Sequence, residues 1–243
     1  MKNVFISGTN LGPSCFIFQA GFVRLVNVTI DSCWKLGAAS SFNRESQTAL
    51  IRLMQNTSAF IDGLHLTNNS VILGIDSFSP WNSLKIVNSY INGNKFSRCL
   101  ETSANTAVAF TNVTISNNDC YWQLPSNTTT RFEDSRFENN TLSAVVPYFD
   151  FSESTYRFKN TKLTANRFPF GSVFSLKEQS VLILDEVEIS STYALQSLLL
   201  TDISSTVKIT STVFRHNTAD YRDMLALNYQ GNISSSDLLF AGG

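Results

Sequence analysis

Asp150 and Asp202 are the acidic residues whose placement could do chemistry. Each stands 13 residues beyond an apolar anchor of a recurring pattern, Phe137 and Ile189, and the two lie two repeats apart. If successive repeats stack as strands, about 10 Å separates the carboxyls, a spacing at which one acid protonates a glycosidic oxygen while the other activates water. One shared offset among 19 acidic residues arises readily by chance. The densest acidic set, Asp185, Glu186 and Glu188, is equally well explained by an exposed strand edge. Of the two histidines, His65 lies between Leu64 and Leu66, whose inward alternation turns it outward, and His216 precedes Asn217 in a turn. Both read as surface residues, so no catalytic set is expected.

The cysteines and sequons point to covalent modification instead. Cys15 and Cys33 are 18 residues apart and Cys99 and Cys120 are 21 apart, each close to one repeat. Such pairs can come within the ~5.5 Å Cα separation of a disulfide. Of the three possible connectivities this one joins neighbouring repeats, with free buried thiols the alternative reading. No CxxC spacing argues for zinc, and neither a metal nor a cofactor is expected. Seven Asn-x-Ser/Thr acceptors occur, at Asn27, Asn56, Asn68, Asn112, Asn127, Asn139 and Asn232. With 23 Asn and 54 Ser plus Thr in 243 residues, about five would arise at random, so placement rather than number carries the argument for N-glycosylation.

The scaffold that positions these residues is a repeat. Apolar anchors recur at Ile6, Ile30, Leu66, Ile91, Ile115, Phe137, Leu163, Ile189, Phe214 and Phe240, at spacings of 24, 36, 25, 24, 22, 26, 26, 25 and 26. A unit near 25 residues repeated ten times is the signature of a solenoid. Five places before the anchor every complete unit is apolar, from Leu25, Ile61 and Ile86 to Leu184 and Ile209. Three places before it stand Asn3, Asn27, Gly63, Asn88, Asn112, Asp134, Asn160, Glu186, Ser211 and Asp237. Side chains alternate along a strand, so an inward residue at −5 and an inward anchor at 0 have the wrong parity for one straight strand. The chain must bend between them, at the column where turn formers stand. A third apolar stretch, as in Ser172–Leu176, Leu198–Leu200 and Met224–Leu227, closes the coil. Three strands around three turns predict an all-β, right-handed parallel β-helix of about ten coils of roughly 25 residues, stacked ~4.8 Å apart.

Three places after the anchor lie Asn69, Asn94, Asn118, Asn140, Asn166 and Asn217. A repeated amide spread over many coils reads as a ladder satisfying buried backbone groups, not as a ligand site. The layout resembles the right-handed parallel β-helix group typified by pectate lyases over essentially the whole chain. It is also similar to the Phe-x-x-Asn repeats of polymorphic outer-membrane proteins and related surface proteins. Phe137-Glu138-Asn139-Asn140 and Phe214-Arg215-His216-Asn217 match as written, while Ile91, Ile115 and Leu163 replace the Phe ahead of Asn94, Asn118 and Asn166. Gly171-Ser172-Val173 is the nearest approach to the Gly-Gly-Ala partner motif of those repeats. The Asn-Thr-Asp, Asp-Asp and Gly-His-Gly elements associated with polygalacturonases do not occur.

Composition agrees with a rod. Charged residues make up 15% and the formal net charge is −1, against about 25% charged in ordinary domains, so neither nucleic acid nor an anionic membrane is indicated as a partner. Residues 1–243 read as a single β-helix segment with a loop insertion at 35–47, where the 36-residue spacing falls. That loop, with Trp81, Tyr121 and Trp122, could offer a sugar-stacking surface; burial of these aromatics is the competing expectation. Met1–Ile6 lacks a signal-peptide apolar run. Asn3-Val4-Phe5-Ile6 superposes on Asn27-Val28-Thr29-Ile30, so the segment reads as an excerpt of a longer solenoid continued by further coils or by other copies end to end. The expected function is a non-catalytic structural or adhesive rod of an extracellular or cell-surface glycoprotein, with a carbohydrate-active enzyme or polysaccharide-binding module on the same fold as the alternative.

Overall fold

The computed structural model describes all residues except 9–13, 35–47, 125–126, 143–145, 203, 221–224, 228–231, 237–238 and 242–243. The loop insertion therefore lies outside the described residues. What is described is entirely strand and turn, wound as a parallel β-solenoid. All ten anchors stack in one continuous register, Ile6 on Ile30 on Leu66 on Ile91 on Ile115, then Phe137, Leu163, Ile189, Phe214 and Phe240. The −5 column stacks likewise from Leu25 to Ile209. From Leu25 to Ile209 and from Ile30 to Phe214 both columns are core, and Ile6 at the first coil is half-buried.

The bend demanded by parity is a single left-handed residue. Asn3, Asn27, Asn88, Asn112, Asp134, Asn160, Glu186 and Ser211 have φ between 45° and 56°, and Gly63 has 70°. An L residue pays to sit there, and Asn, Asp and Gly pay least, which is why that column is polar. Gly63 has a second reason, since a Cβ on it would lie 2.7 Å from Asn27 Oδ1 of the preceding coil. The two limbs flanking this corner form a 15-stranded sheet.

Two further left-handed columns complete the cross-section. Two residues past the anchor are Gly8, Ser32, Asn68, Gly93, Asn117, Asn139, Ala165, Ser191 and His216, all with φ between 50° and 66°. Ten before it are Asn56, Trp81, Asn105, Asn127, Glu153 and Gln179, with φ from 47° to 63°. Between the second and third corners runs a nine-stranded sheet from Ser14–Phe18 to Leu225–Leu227, preceded in the later coils by a short three-stranded one. In mid-rod the interior is aromatic: Phe110, Phe132 and Phe158 stack at 4.8 Å between ring centroids, and Trp122 meets Phe110 and Phe132 edge-on at 5.4 and 5.5 Å. Trp122 is thus a core residue and no part of a sugar-stacking surface, because its strand turns it inward against these rings. Trp81 is exposed and Tyr121 half-buried.

Candidate functional site

The corners place the sequons. Asn27 and Asn112 occupy the first corner, Asn68 and Asn139 the second, and Asn56 and Asn127 the third. All six are exposed. Within each corner the two sequons are three coils apart, about 14 Å at the inter-strand spacing. The left-handed demand selects Asn, and the strand that leaves the corner supplies Ser or Thr two places on. At the first corner Asn27 Nδ2 donates to Asn3 Oδ1 at 3.2 Å and Asn112 Nδ2 to Asn88 Oδ1 at 2.9 Å. A glycosidic bond replaces only one of the two amide hydrogens, so each contact is compatible with an attached sugar. Asn232 lies in the strand Asn232–Ser236, and its side chain is outside the described residues.

The inner asparagines are a different population. Asn69, Asn94, Asn118, Asn140, Asn166 and Asn217 are all buried. Asn118 shows the unit: its Oδ1 accepts from Asn94 N–H at 3.0 Å and Asn94 Nδ2 at 2.9 Å, while its Nδ2 donates to Ile91 O at 2.9 Å and Asn140 Oδ1 at 3.1 Å. The same bonds run from Asn69 to Asn166. Thr192 interrupts the ladder, and Asn217 resumes it by accepting from Thr192 N–H at 2.9 Å. With donors and acceptor spent internally, these amides hold the turn and offer nothing to a ligand.

The acidic pair Asp150 and Asp202 does not come into register. Asp150 is in register with Ser175 and then Leu200, whereas Asp202 follows the residue paired with Leu176, two positions further along the strand. An equal offset from the anchors does not give equal register, because the turns between differ in length. Burial opposes ionisation of Asp202, but hydrogen bonds from Ser205 Oγ, Glu178 N–H and Ser204 outweigh it and hold its carboxyl below the usual range. It ties down a turn. Asp185 pairs with Arg157 at 3.0 Å and Glu188 with Lys162 at 3.4 Å, while Glu186 is a corner residue. His65 and His216 are exposed.

A charged row on the nine-stranded sheet escaped sequence reading. Arg52, Asp76, Glu101, Gln123 and Asp150 are successive register partners. Arg52 Nε donates to Asp76 Oδ2 at 2.9 Å with both side chains buried, and Arg98 Nη1 meets Glu101 Oε2 at 2.6 Å while its Nε donates to Tyr121 OH at 2.9 Å. Paired in this way, Asp76 and Glu101 are neutralised neighbours and not an open acid–base couple. Among the described residues no three His, Cys, Asp or Glu side chains are arranged to hold a metal ion, and no helix is long and apolar enough to cross a membrane.

Cys99 and Cys120 are joined as a disulfide between adjacent coils, with Cα atoms 5.4 Å apart. The second pair drawn from spacing is not joined: Cys15 and Cys33 are thiols. Cys33 Sγ also donates to Asp31 O at 3.6 Å, with the Cys15 thiol beside it. Burial, reinforced by the neighbouring Cys33, pushes the Cys15 thiol up to about 12.

No family model matches the chain, and no curated protein does. A solved structure with some likeness is HetL, a pentapeptide repeat protein involved in heterocyst differentiation regulation from the cyanobacterium Nostoc sp. strain PCC 7120. It is 8% identical, with 93% of this chain and 87% of that chain covered at a TM-score of 0.26. So low a superposition carries no argument, and the fold rests on the register above. The likeness to pectate lyases and to Phe-x-x-Asn surface repeats stays a resemblance of motif, and the chain is a parallel β-solenoid repeat protein.

Proposed function

We propose that this chain is a non-catalytic, N-glycosylated segment of a structural or adhesive rod belonging to a secreted or cell-surface protein. The observation that carries the reading is the placement of six sequon asparagines, two on each corner, exposed and left-handed, clear of both core and ladder. The cross-coil Cys99–Cys120 disulfide suits the same oxidising compartment. The non-catalytic part of the reading is supported by the engagement of Asp76, Glu101, Asp185 and Glu188 with cations and of Asp202 with a turn. Further coils of the same chain or other copies, pairing with the outer edge of Lys2–Ser7, are the partners this reading expects. The test is intact-mass measurement of protein secreted from eukaryotic cells, before and after N-glycosidase. Loss of several glycan masses is expected. An unchanged mass, or reducing-sugar release from a polysaccharide that disappears in Asp76→Asn or Glu101→Gln, overturns the reading.

A further inference from the structure

The first limb of the 15-stranded sheet carries an outward row that is basic and otherwise uncharged. Arg24, Phe60, Lys85, Ala109, Arg131, Arg157, Ile183 and Lys208 are register partners on eight successive coils. Arg157 is engaged by Asp185 at 3.0 Å. Arg24, Lys85, Arg131 and Lys208 are exposed, and among the described residues none has a carboxylate within ion-pairing distance. Two coils separate Arg24 from Lys85 and Lys85 from Arg131, about 10 Å each, and three separate Arg131 from Lys208, about 14 Å. Arg131 stands directly beside Arg157, whose like charge is offset by Asp185. On one side of the cations runs a neutral row that begins at the exposed Phe22 and continues through the small Ser58, Ser83, Ala107, Thr129 and Thr155; on the other runs a mixed row, Asp62, Val87, Thr111, Glu133, Lys159 and Asp185. Where Ala107 and Ala109 leave the wall low, a shallow groove opens between Lys85 and Arg131.

We propose that this track binds a linear acidic glycan lying along the solenoid axis, its sulfate or carboxylate groups meeting the cations in turn and its sugar rings resting on the Ser/Ala/Thr row. The charges recur at roughly the repeat of a disaccharide, and three of the five cations are guanidinium forks suited to planar or tetrahedral oxyanions. A single-stranded nucleic acid fits less well. It would need a succession of exposed aromatic faces for its bases, whereas Phe60 is covered by Arg24 at 5.6 Å and Lys85 at 6.0 Å and the exposed Phe22 stands at one end of the track only. The track is independent of the sequons, so it stands or falls apart from glycosylation.

The test is surface plasmon resonance on the intact chain with four probes: a heparin oligosaccharide, a carboxylate-only hyaluronan oligosaccharide, a neutral dextran and a single-stranded oligonucleotide. Binding of one or both acidic glycans is expected, which also tells sulfate from carboxylate, with affinity falling as salt rises. The double variant Lys85→Ala/Arg131→Ala should weaken it about tenfold or more. A charge-matched control, Arg136→Ala/Arg215→Ala, lies on the adjoining limb and should leave it within about twofold. No glycan binding, equal binding of dextran, equal loss in the control, or tighter binding of the oligonucleotide overturns the proposal. Unchanged circular dichroism and melting of both double variants, each altering exposed residues only, separates lost contacts from lost fold.

Discussion

Asn118→Ala cuts the internal ladder at mid-rod, and its cost follows from the bonds lost. Asn94 N–H has Asn118 Oδ1 as its acceptor at 3.0 Å, and Ile91 O receives Asn118 Nδ2 at 2.9 Å. Asn94 Nδ2 and Asn140 Oδ1 also lose a partner but keep others, Leu66 O and Asn118 N–H. One buried backbone donor, Asn94 N–H, is therefore stranded and Ile91 O loses one of its bonds, giving an expected loss of about 1–3 kcal/mol. Asn88→Gly is the matched control: it deletes an exposed amide while keeping the left-handed corner, and should cost under about 1 kcal/mol. Denaturant unfolding gives the global figure. Hydrogen exchange at Asn94 gives the local one, since a solenoid can open coil by coil. If Asn118→Ala costs no more than Asn88→Gly and Asn94 stays protected, the ladder is not what satisfies the turn. Asn118→Asp adds a sign test: a buried carboxylate facing Ile91 O and Asn140 Oδ1 prefers its proton, so that variant should lose stability as pH rises above about 4.

Three further outcomes follow from corners, turns and thiols. Ala165 sits left-handed at φ 54° with no side-chain compensation, so Ala165→Gly should raise the stability by about 1 kcal/mol in thermal melts, and a loss would mean the corner is unstrained. Asp202 is held below the usual carboxylate range by its turn, so it contributes stability at neutral pH that disappears as pH falls below about 4. Asp202→Asn should flatten that part of the acid-unfolding curve, and an unaltered curve would refute the capping role. Cys15, raised to about 12, should be alkylated in the folded protein at mildly alkaline pH far more slowly than an unperturbed thiol of pKa about 8.5. By the same sign stability should fall as pH climbs past that value, and rapid labelling under native conditions would contradict the burial.

What the sequence disclosed was what repeats in step with the anchors. Stacking of the −5 column and the anchors, the bend at Asn27 or Asn112, and the buried ladder from Asn69 to Asn217 were all legible because each recurs at a fixed offset. The second corner was hidden in plain view: Asn68-Asn69, Asn117-Asn118 and Asn139-Asn140 pair a left-handed exposed Asn with a buried one, and anchor alignment noticed only the second of each. Asp150 and Asp202 misled because turn lengths vary between coils, so an offset counted from the anchor loses register on the far side. The Arg52–Asp76 pair and the Arg24–Lys208 row were missed as well. The Arg52–Asp76 pair stands at different offsets from its anchors, so only the strand pairing shows that the two are neighbours, and the Arg24–Lys208 row keeps a fixed offset of six but mixes Arg, Lys, Phe, Ala and Ile, so no residue type repeats along it.

N-glycosylation of the corner asparagines is tested most directly by site-resolved glycan mapping. Protein secreted from eukaryotic cells is deglycosylated enzymatically in heavy-oxygen water, which marks each formerly glycosylated Asn, and then digested for peptide mass mapping. The expected result is marking at the corner residues Asn27, Asn56, Asn68, Asn112, Asn127 and Asn139, with the buried Asn69, Asn94, Asn118, Asn140, Asn166 and Asn217 unmarked. Six bare corner asparagines in a chain that has passed through the secretory pathway would contradict it.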